Sequence, residues 1–303
     1  MPPSSERVSR PDQLRDGLAV IDKAAGWTSS DVVVKARGIL HNKKVGHSGT
    51  LDPGATGVLL LGVGRVTRLL RFLTALPKSY VGEIVLGTET TTLDDQGEVV
   101  ATYDMASVTD EQVAAAARAL TGSILQIPPM VSAVKVGGRR LHEIARAGDE
   151  VERTPRPVTV HRFDVAPLPG SPGVYRAEVD CSTGTYVRTL ADDLGRALGG
   201  GAHLRNLRRT SIGSFTLADA HPLEEITVVA PAQAVRDYPA VAVTDELAAA
   251  VGQGKVLEAE ALGVTGLGPW AVLGPDGNLL AMYEAHRGST VKPAVVVAPA
   301  GGG

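Results

Sequence analysis

One carboxylate, Asp52, lies inside a glycine-rich segment that is unlike the rest of the chain. The segment GHSGTLDPGATGVLLLGVGR, Gly46 to Arg65, contains six glycines and places Asp52 directly before Pro53. A residue before proline is biased away from helical dihedrals, which can hold its side chain outward. Either Asp52 is a nucleophile, or the segment is a tight turn that needs glycine. It matches neither common phosphate-binding loop pattern.

Arg188 is the second candidate for chemistry. It lies on the apolar side of the amphipathic helix that TYVRTLADDLGRALGG predicts. A buried guanidinium needs a carboxylate partner. Asp192, four residues on, could be that partner. Asp52 is the alternative, and pairing with Arg188 would keep a buried carboxylate ionised at neutral pH, as a nucleophile requires.

An aromatic residue and a basic segment complete the candidates. Tyr80 lies on KSYVGEIVLG, whose alternation predicts a strand. Its ring could fill the core or stack on an extruded base. The segment QIPPMVSAVKVGGRRLHEIARAG turns at Gly137-Gly138 into a basic helix. It predicts a mobile arm over a substrate or a surface hairpin, and its charges favour the arm.

Strand and helix patterns alternate around these residues. TSSDVVVKARGIL predicts a helix capped by Ser29 or Ser30, and TDEQVAAAARALTG predicts one beginning at Thr109 or Asp110. Predicted strands are GLAVID, GVLLLGVG, and the pair VTVHRFDV and VYRAEVDCS. Hairpins mixed with helices favour an α+β domain with a mixed or antiparallel sheet. The last 60 or so residues favour a small β-rich domain.

Composition narrows the class of protein. The chain has 303 residues, 44% of them hydrophobic and 21% charged, which is typical of soluble globular proteins. Cys181 is the single cysteine, so an intramolecular disulfide and a multi-cysteine metal site are excluded. No segment approaches the roughly 18 apolar residues of a membrane span, and the polar N-terminus has no secretory signal. We therefore expect a cytoplasmic protein.

The net charge of −3 conceals three clusters of positive charge. They cover residues 35–47, 135–146 and 203–209, and each lies beside one of the unusual motifs. Together they indicate a polyanionic partner. No set of His, Cys and carboxylates has the spacing of metal ligands. The residues alone thus predict a cofactor-free enzyme with a carboxylate nucleophile and a polyanionic substrate.

Six ordered blocks, from about Leu18 to Phe215, resemble the TruB family of tRNA pseudouridine synthases. They are DKAAGWTSSD, KKVGHSGTLDPGATGVL, KSYVGEIVLGTETTTLDDQGEV, IPPMVSAVKVGGRRLHEIAR, CSTGTYVRTLADDLG and LRNLRRTSIGSF. The C-terminal part more loosely resembles a PUA-type RNA-binding domain. The resemblance implies an α+β pseudouridine synthase fold, with a mixed, mainly antiparallel sheet flanked by helices, plus a small C-terminal β-rich PUA-like domain.

The resemblance also implies a domain division. We expect a flexible leader at 1–14, a catalytic domain at 15–235 and a PUA-like domain at 236–296. A thumb-like insertion occupies about 126–153, and a flexible tail follows at 297–303.

The resemblance implies that the chain isomerises the T-loop uridine of tRNA, position 55, to pseudouridine. Asp52 is then the catalytic aspartate, Arg188 its partner, and Tyr80 the ring that stacks on the flipped uracil. The remaining matched positions are implied to bind substrate: His47 at the T-loop, Tyr186 and Leu207 in the uridine pocket, and Lys23 in the first motif. The glycines would let RNA approach the Asp52 loop closely.

The implied enzyme is a monomer that binds the T-arm of tRNA and needs no cofactor, no metal and no guide RNA. A guide-RNA-dependent relative is one alternative, disfavoured by the small C-terminal domain. A tRNA-folding protein is another, and that role could accompany catalysis. The chain departs from the family at Ala24, Ser48, Gly54 and His142, none of which is Asp52, Tyr80 or Arg188.

Overall fold

The computed structural model describes residues 16–132 and 151–297, together with the backbone of residues 135–136 and 139–140. The expected leader at 1–14, most of the thumb-like insertion and the tail beyond residue 297 lie outside the described residues. So do the side chains of the basic cluster at 135–146 and the position of His142.

The described strands, in chain order, are β1 (Gly17–Lys23), β2 (Val45–Ser48), β3 (Thr56–Val63), β4 (Lys78–Leu86), β5 (Thr88–Thr90), β6 (Val99–Thr102), β7 (Gly122–Gln126), β8 (Lys135–Val136), β9 (Arg139–Arg140), β10 (Arg156–Pro167), β11 (Val174–Cys181), β12 (Ala202–Ile212), β13 (Phe215–Thr216), β14 (Ala240–Ala242), β15 (Leu257–Glu258), β16 (Trp270–Leu273), β17 (Leu279–Ala285) and β18 (Thr290–Val296). The described α-helices are α1 (Ser29–Ile39), α2 (Leu70–Ala75), α3 (Asp110–Ala119), α4 (Val187–Ala197), α5 (Asp245–Gly252) and α6 (Ala259–Leu262). Three 3₁₀ helices accompany them, at Gly64–Leu69, Leu223–Glu225 and Pro231–Val235.

Nine of these strands form one sheet, in the order β1-β3-β12-β4-β11-β10-β7, with β2 added to β3 and β13 to β12. The contact between β12 and β3 is parallel and the other pairings are antiparallel. The predicted mixed, mainly antiparallel sheet with flanking helices is therefore confirmed.

The strand order brings distant parts of the sequence to one place. Because β12 lies between β3 and β4, the loop before β3 meets the residues of both β12 and β4. Helix α4 follows β11 directly and packs on β12 with Val187, Leu190 and Leu194 buried. Its N-terminal end is thus held beside the same loop.

The central parts of β1 (Leu18–Ile21) and β3 (Val58–Leu61) are apolar because both of their faces are covered. One face carries Leu59 and Leu61 and packs against Val32 and Ala36 of α1. The other carries Leu60 and packs against α2 and the C-terminal sheet. Alternate residues of a strand point to opposite faces, so coverage on both sides requires an unbroken apolar run. The prediction of a buried strand at GVLLLGVG is confirmed.

A second sheet of five strands, in the order β14-β16-β17-β18-β15, lies C-terminal to the first. It agrees with the predicted small β-rich domain, and its curled shape is compatible with a PUA-like fold. Its apolar residues complete a cluster that belongs to both parts of the chain: Leu279 and Met282 pack with Phe72, Leu73 and Phe215. None of the described helices is long and apolar enough to cross a membrane.

Helix α1 lies where the sequence predicts, but its N-cap is Thr28 and not Ser29 or Ser30. Thr28 Oγ1 accepts a hydrogen bond from the Asp31 amide, and the Asp31 carboxylate accepts one from the Thr28 amide. This reciprocal capping box satisfies two free donors. The Ser29 hydroxyl is buried and binds the backbone of Leu51 instead, at 2.9 and 3.1 Å.

Candidate active site

A cavity of about 290 Å³ opens beside β4, β12 and the N-terminal end of α4. Five of the seven site residues expected from the sequence line it. They are Asp52, Tyr80, Tyr186, Arg188 and Leu207. They come from four separate segments, which the strand order described above brings together.

Asp52 and Arg188 both line this cavity and form an ion pair there. Arg188 Nε lies 2.9 Å from Asp52 Oδ2, and the guanidinium side chain is 5% exposed whereas the carboxylate side chain is 40% exposed. Two backbone carbonyls fix the guanidinium: Nη1 donates to Thr92 at 2.7 Å and Nη2 to Val131 at 2.9 Å. The pair therefore joins a fixed cation to a carboxylate that solvent and substrate can reach.

The pairing of Arg188 with Asp192, which the sequence left open, does not occur. Asp192 binds Arg196 instead, at 3.0 Å, one helical turn further along α4. Asp94 is a second carboxylate near Arg188, with its Oδ2 3.6 Å from Arg188 Nε. Arg188 therefore faces two carboxylates, of which Asp52 is the nearer and the more exposed.

Opposing effects act on the ionisation of Asp52. Burial raises the pKa of this carboxyl above its ordinary value, and the neighbouring Asp94 raises the pKa further. The charge and hydrogen bond of Arg188, and the charge of Lys23, lower the pKa of Asp52. The net shift is upward, so Arg188 and Lys23 preserve the ionised form against desolvation.

Three interactions fix the loop that carries Asp52. Ser29 binds Leu51 on one side of the aspartate, and Lys23 Nζ donates to the Pro53 carbonyl on the other, at 3.3 Å. Arg209 donates from Nη2 to the Gly49 carbonyl, at 2.9 Å. The aspartate therefore lies on a loop whose backbone is held on both sides.

Two glycines of this segment, Gly57 and Gly62, are required by packing within the protein. Gly57 has φ +103°, and a Cβ there would lie 2.1 Å from the Arg209 carbonyl oxygen. A Cβ at Gly62 would lie 3.0 Å from the Val66 carbonyl oxygen. Both lie on β3, so close packing of the sheet accounts for them. Gly54, which lines a cavity beside Asp52, has no such close contact, and the expected approach of RNA there stays a prediction.

The resemblance predicts that Lys23 contacts substrate, but its side chain is buried under the loop that carries Asp52. It is 1% exposed, and besides Pro53 its ammonium binds the carbonyls of Ala24 and Trp27, at 3.0 and 2.8 Å. The pKa of Lys23 is lowered to about 8, chiefly by burial and also by the charge of Arg209, against the raising influence of Asp52. This geometry supports a positioning role for Lys23.

His47 lies on β2, outside the lining of the cavity that holds Asp52. Its Nδ1 is buried without a hydrogen-bond partner in the described part of the chain. Burial, then the charge of Arg209, lowers the pKa of this imidazole. His47 is therefore disfavoured as a cation in the free protein.

Tyr80 presents its ring to the cavity while its side chain is largely buried. Burial raises the pKa of the phenol, and Arg209 partly opposes that increase. Arg209 is 1% exposed and also donates from Nε to the Val58 carbonyl at 2.7 Å. The sequence pattern identified Arg209 only as part of a basic cluster.

The basic cluster at 203–209 is not a free cationic surface. Arg205 binds Glu83 and Arg208 binds Asp22, each at 2.7 Å, and Arg209 binds backbone carbonyls. The interpretation of this cluster as a polyanion contact is therefore not supported.

The first basic cluster, at 35–47, has a different character. Lys35, Lys43 and Lys44 are exposed, and they form no ion pair with any described residue. This corner, where α1 leads into β2, keeps the charges that an anionic partner requires.

A second cavity, of about 260 Å³, is also lined by Asp52 and Arg188. Asp94, Asp95 and Gln96 line it together with Asn206 and Leu207. Sequence reasoning missed these polar residues, although TTTLDDQG offered a signal in its adjacent carboxylates. Within the described part of the chain, no group of three or more His, Cys, Asp or Glu residues could hold a metal ion.

Two family models match the chain. TruB family pseudouridylate synthase (N terminal domain) matches residues 37–187, and tRNA pseudouridylate synthase B C-terminal domain matches residues 188–238. The tRNA pseudouridine synthase B of Rhodococcus jostii (strain RHA1) is 47% identical over 293 residues, which cover 94% of this chain and 94% of that protein. That of Arthrobacter sp. (strain FB24) is 44% identical over 300 residues, with 94% and 98% covered.

A solved structure shares the fold. A chain of the crystal structure of a Cbf5-Nop10-Gar1 complex superposes with a TM-score of 0.73 and 24% identity, covering 98% of this chain and 93% of that one. The superposition spans both sheets, so the expectation of a pseudouridine synthase fold is confirmed.

Proposed function

The chain belongs to the TruB family of pseudouridylate synthases, and we propose that it isomerises the T-loop uridine of tRNA, position 55, to pseudouridine. The observation that carries this proposal is the ion pair of Asp52 and Arg188 inside a cavity that also contains the ring of Tyr80. The cavity supplies a carboxylate to act on the nucleotide, an aromatic ring on which a base can stack, and space for that base.

The reaction exchanges one bond for another at the same sugar carbon. The bond between C1′ and N1 of uracil breaks, the base turns, and a bond forms between C1′ and C5. A proton leaves C5 and a proton is gained at N1, so substrate and product are isomers. No redox equivalent and no water are consumed. A nucleophilic carboxylate can assist by splitting a difficult displacement into easier steps.

Each residue of the cavity is assigned one task. Asp52 acts on the reacting nucleotide as an ionised carboxylate, and Arg188 holds that carboxylate in place and in its charged form. The ring of Tyr80 stacks on the flipped uracil. Tyr186 and Leu207 form the walls of the uridine pocket, where stacking and apolar contact bind a base without hydrogen-bond readout.

The uridine must leave its stacked position before it can enter the cavity. Extruding a base costs a few kcal/mol, which phosphate contacts can offset. The exposed Lys35, Lys43 and Lys44 support such contacts, and His47, further along β2, is proposed to hold the opened T-loop. The thumb-like insertion at about 126–153 and the PUA-like domain at 236–296 are proposed to contact tRNA as well.

We further propose that the enzyme acts as a monomer, without a guide RNA and without a cofactor, in the cytoplasm. The fold is shared with a chain of a Cbf5-Nop10-Gar1 complex, but the curated relatives that cover this chain are named as tRNA pseudouridine synthases. A role in tRNA folding could accompany catalysis and would not depend on Asp52.

The test is tritium release from a tRNA transcript labelled at C5 of uridine, followed by mapping of the modified position. Wild type is compared with Asp52→Asn and with Asp164→Asn. Asp164 provides a matched control because its carboxylate is 68% exposed and pairs with Arg162, away from the cavity.

Release by wild type and Asp164→Asn, with no release by Asp52→Asn and pseudouridine at position 55, is the expected result. Release at another position would retain the reaction and overturn the substrate. Tight tRNA binding by wild type without any release would favour the tRNA-folding role instead.

A further inference from the structure

Lys78 is a buried lysine that lines the same cavity as Asp52, and the assignments above give it no role. It is the first residue of β4, two positions before Tyr80, so both side chains point to the same face of the strand. Lys78 is 6% exposed, and both residues line the cavity. Burying an ammonium group is unfavourable unless the group is hydrogen-bonded or paired with an opposite charge.

Two backbone carbonyls partly explain why Lys78 can be buried. Lys78 Nζ donates to Thr74 at 2.7 Å and to Leu76 at 2.6 Å, at the C-terminal end of α2. Carbonyls at a helix C-terminus carry partial negative charge and favour a cation. An ammonium has three donors, and these two bonds use two of them. Lys78 therefore supports α2 and retains one donor.

A second cation beside Lys78 shows that support of α2 is not the whole explanation. A Cβ on Gly49 would lie 3.5 Å from both Lys78 Cε and Arg209 Nη1, so the two side chains converge beneath one loop. Burial and then the charge of Arg209 lower the pKa of Lys78 to about 8, against a smaller raising influence of Cys181. Two converging cations at the wall of a cavity are suited to receiving negative charge.

We propose that Lys78 is a catalytic residue that stabilises the uracil anion released when the C1′–N1 bond breaks. The inference rests on the proposed function. The electron pair of the bond leaves with N1, and the negative charge is shared between N1 and the two carbonyl oxygens of the ring. When the base turns, C5 attacks C1′, the C5 proton leaves and N1 regains a proton.

The proposed position of the base places it next to Lys78. A uracil stacked on Tyr80 has Lys78 as the next side chain on the same face of β4. The full negative charge exists only after bond breaking begins, so Lys78 lowers the barrier without tightening the binding of tRNA.

The charged form of Lys78 is required, so the rate should fall as pH rises through about 8. The titratable groups that face Lys78 are Arg209 from β12 and Cys181 from β11. Lys23 also has a pKa of about 8, but it lines neither of the two cavities described above. A comparison of the two lysines therefore separates their contributions to the pH profile.

The experiment measures single-turnover pseudouridine formation between about pH 6.5 and 9.5, with tRNA affinity and thermal unfolding of each protein. The proteins are wild type, Lys78→Met, Lys78→Arg and Lys23→Arg. We expect Lys78→Met to lower the rate about 100-fold with tRNA affinity unchanged. Lys78→Arg should remove the fall in rate above pH 8, because arginine stays charged. Lys23→Arg should retain it.

A wild-type rate in Lys78→Met would overturn the inference, as would the same alkaline fall in Lys78→Arg and wild type. If Lys78→Met fails to fold, the Lys78→Arg profile decides, because arginine can still donate to the carbonyls of α2. Absence of pseudouridine from the wild-type reaction would instead overturn the proposed function, and this inference with it.

Discussion

Arg188 Nε lies 2.9 Å from Asp52 Oδ2, and the two groups differ eightfold in exposure, 5% against 40%. The cation is enclosed and held by two backbone carbonyls, whereas the anion remains open to the cavity. Such a pair adds little to stability, because the cost of removing the guanidinium from water offsets most of its attraction to the carboxylate. Its effect is to fix the position and the charge of a reactive carboxylate.

Replacing Arg188 with methionine should lower turnover roughly 100-fold and leave tRNA affinity within a factor of two or so. The buried guanidinium offers little surface to tRNA, but it lowers the pKa of Asp52. Without Arg188 that pKa rises, so the acid limb of the rate profile should move to higher pH. Single-turnover rates between pH 5 and 8 or so, with filter binding, measure both effects. A defect confined to binding would contradict this assignment.

Replacing Gly57 with alanine should destabilise the fold by about 2–3 kcal/mol. Its φ of +103° is unfavourable for alanine, and the new Cβ would meet the Arg209 carbonyl oxygen. Gly54 is the matched control, since no positive φ is found there and a Cβ would lie 3.5 Å from the Gln96 side chain. Gly54→Ala should change the free energy of unfolding by less than about 1 kcal/mol. Urea unfolding of the two variants measures both changes in the free energy of unfolding, and equal changes would refute the packing argument.

The free energy of unfolding should increase as pH rises from about 8 towards 10. Lys23 and Lys78 each have a folded-state pKa of about 8, below the ordinary 10.5. In that window each of these two lysines binds fewer protons in the folded chain than in the unfolded one, so together they make folding more favourable as pH rises. They outnumber Cys181, which acts in the opposite direction because burial raises its pKa to about 11. Lys23→Met should flatten the slope, whereas Lys35→Met, at an exposed position on α1, should not. An unchanged slope in Lys23→Met would show that the ammonium of Lys23 is not desolvated.

The two sheets should unfold together, because they share one apolar cluster. The chain has two tryptophans, Trp27 beside the Asp52 loop and Trp270 on β16. Single-tryptophan variants, Trp27→Phe and Trp270→Phe, therefore report on one part each. Their fluorescence transitions in denaturant should coincide, and Met282→Ala should shift both by the same 2–5 kcal/mol or so. Separated transitions would mean that the shared cluster does not couple the two parts.

Much of the fold could be predicted because the sequence patterns report burial directly. The unbroken apolar run at Thr56–Val63 predicts a strand covered on both faces, and β3 is such a strand. The alternation at Lys78–Leu86 and the Thr109 capping box likewise identify β4 and α3. These signals are local, so no knowledge of the rest of the chain is needed.

The details that could not be predicted depend on contacts between distant segments. Ser29 is an acceptable helix cap by residue type, but its hydroxyl binds Leu51. Arg208 looks like a polyanion contact within its own segment, yet it pairs with Asp22, 186 positions away. From the sequence, Asp192 at helical spacing was as acceptable a partner for Arg188 as the distant Asp52. Only the order of strands in the sheet decides between such partners.

The cluster shared by the two sheets also governs how the chain could be recombined. The C-terminal sheet shares its apolar cluster with Phe72, Leu73 and Phe215 of the first part of the chain. It therefore cannot be exchanged for another such sheet without regard to those residues. Grafting a C-terminal sheet from a relative would have to bring the matching residues of the 3₁₀ segment Gly64–Leu69 and of α2 with it. Suitable parents for a chimera are therefore proteins with matching residues in this shared cluster, whatever their overall sequence identity.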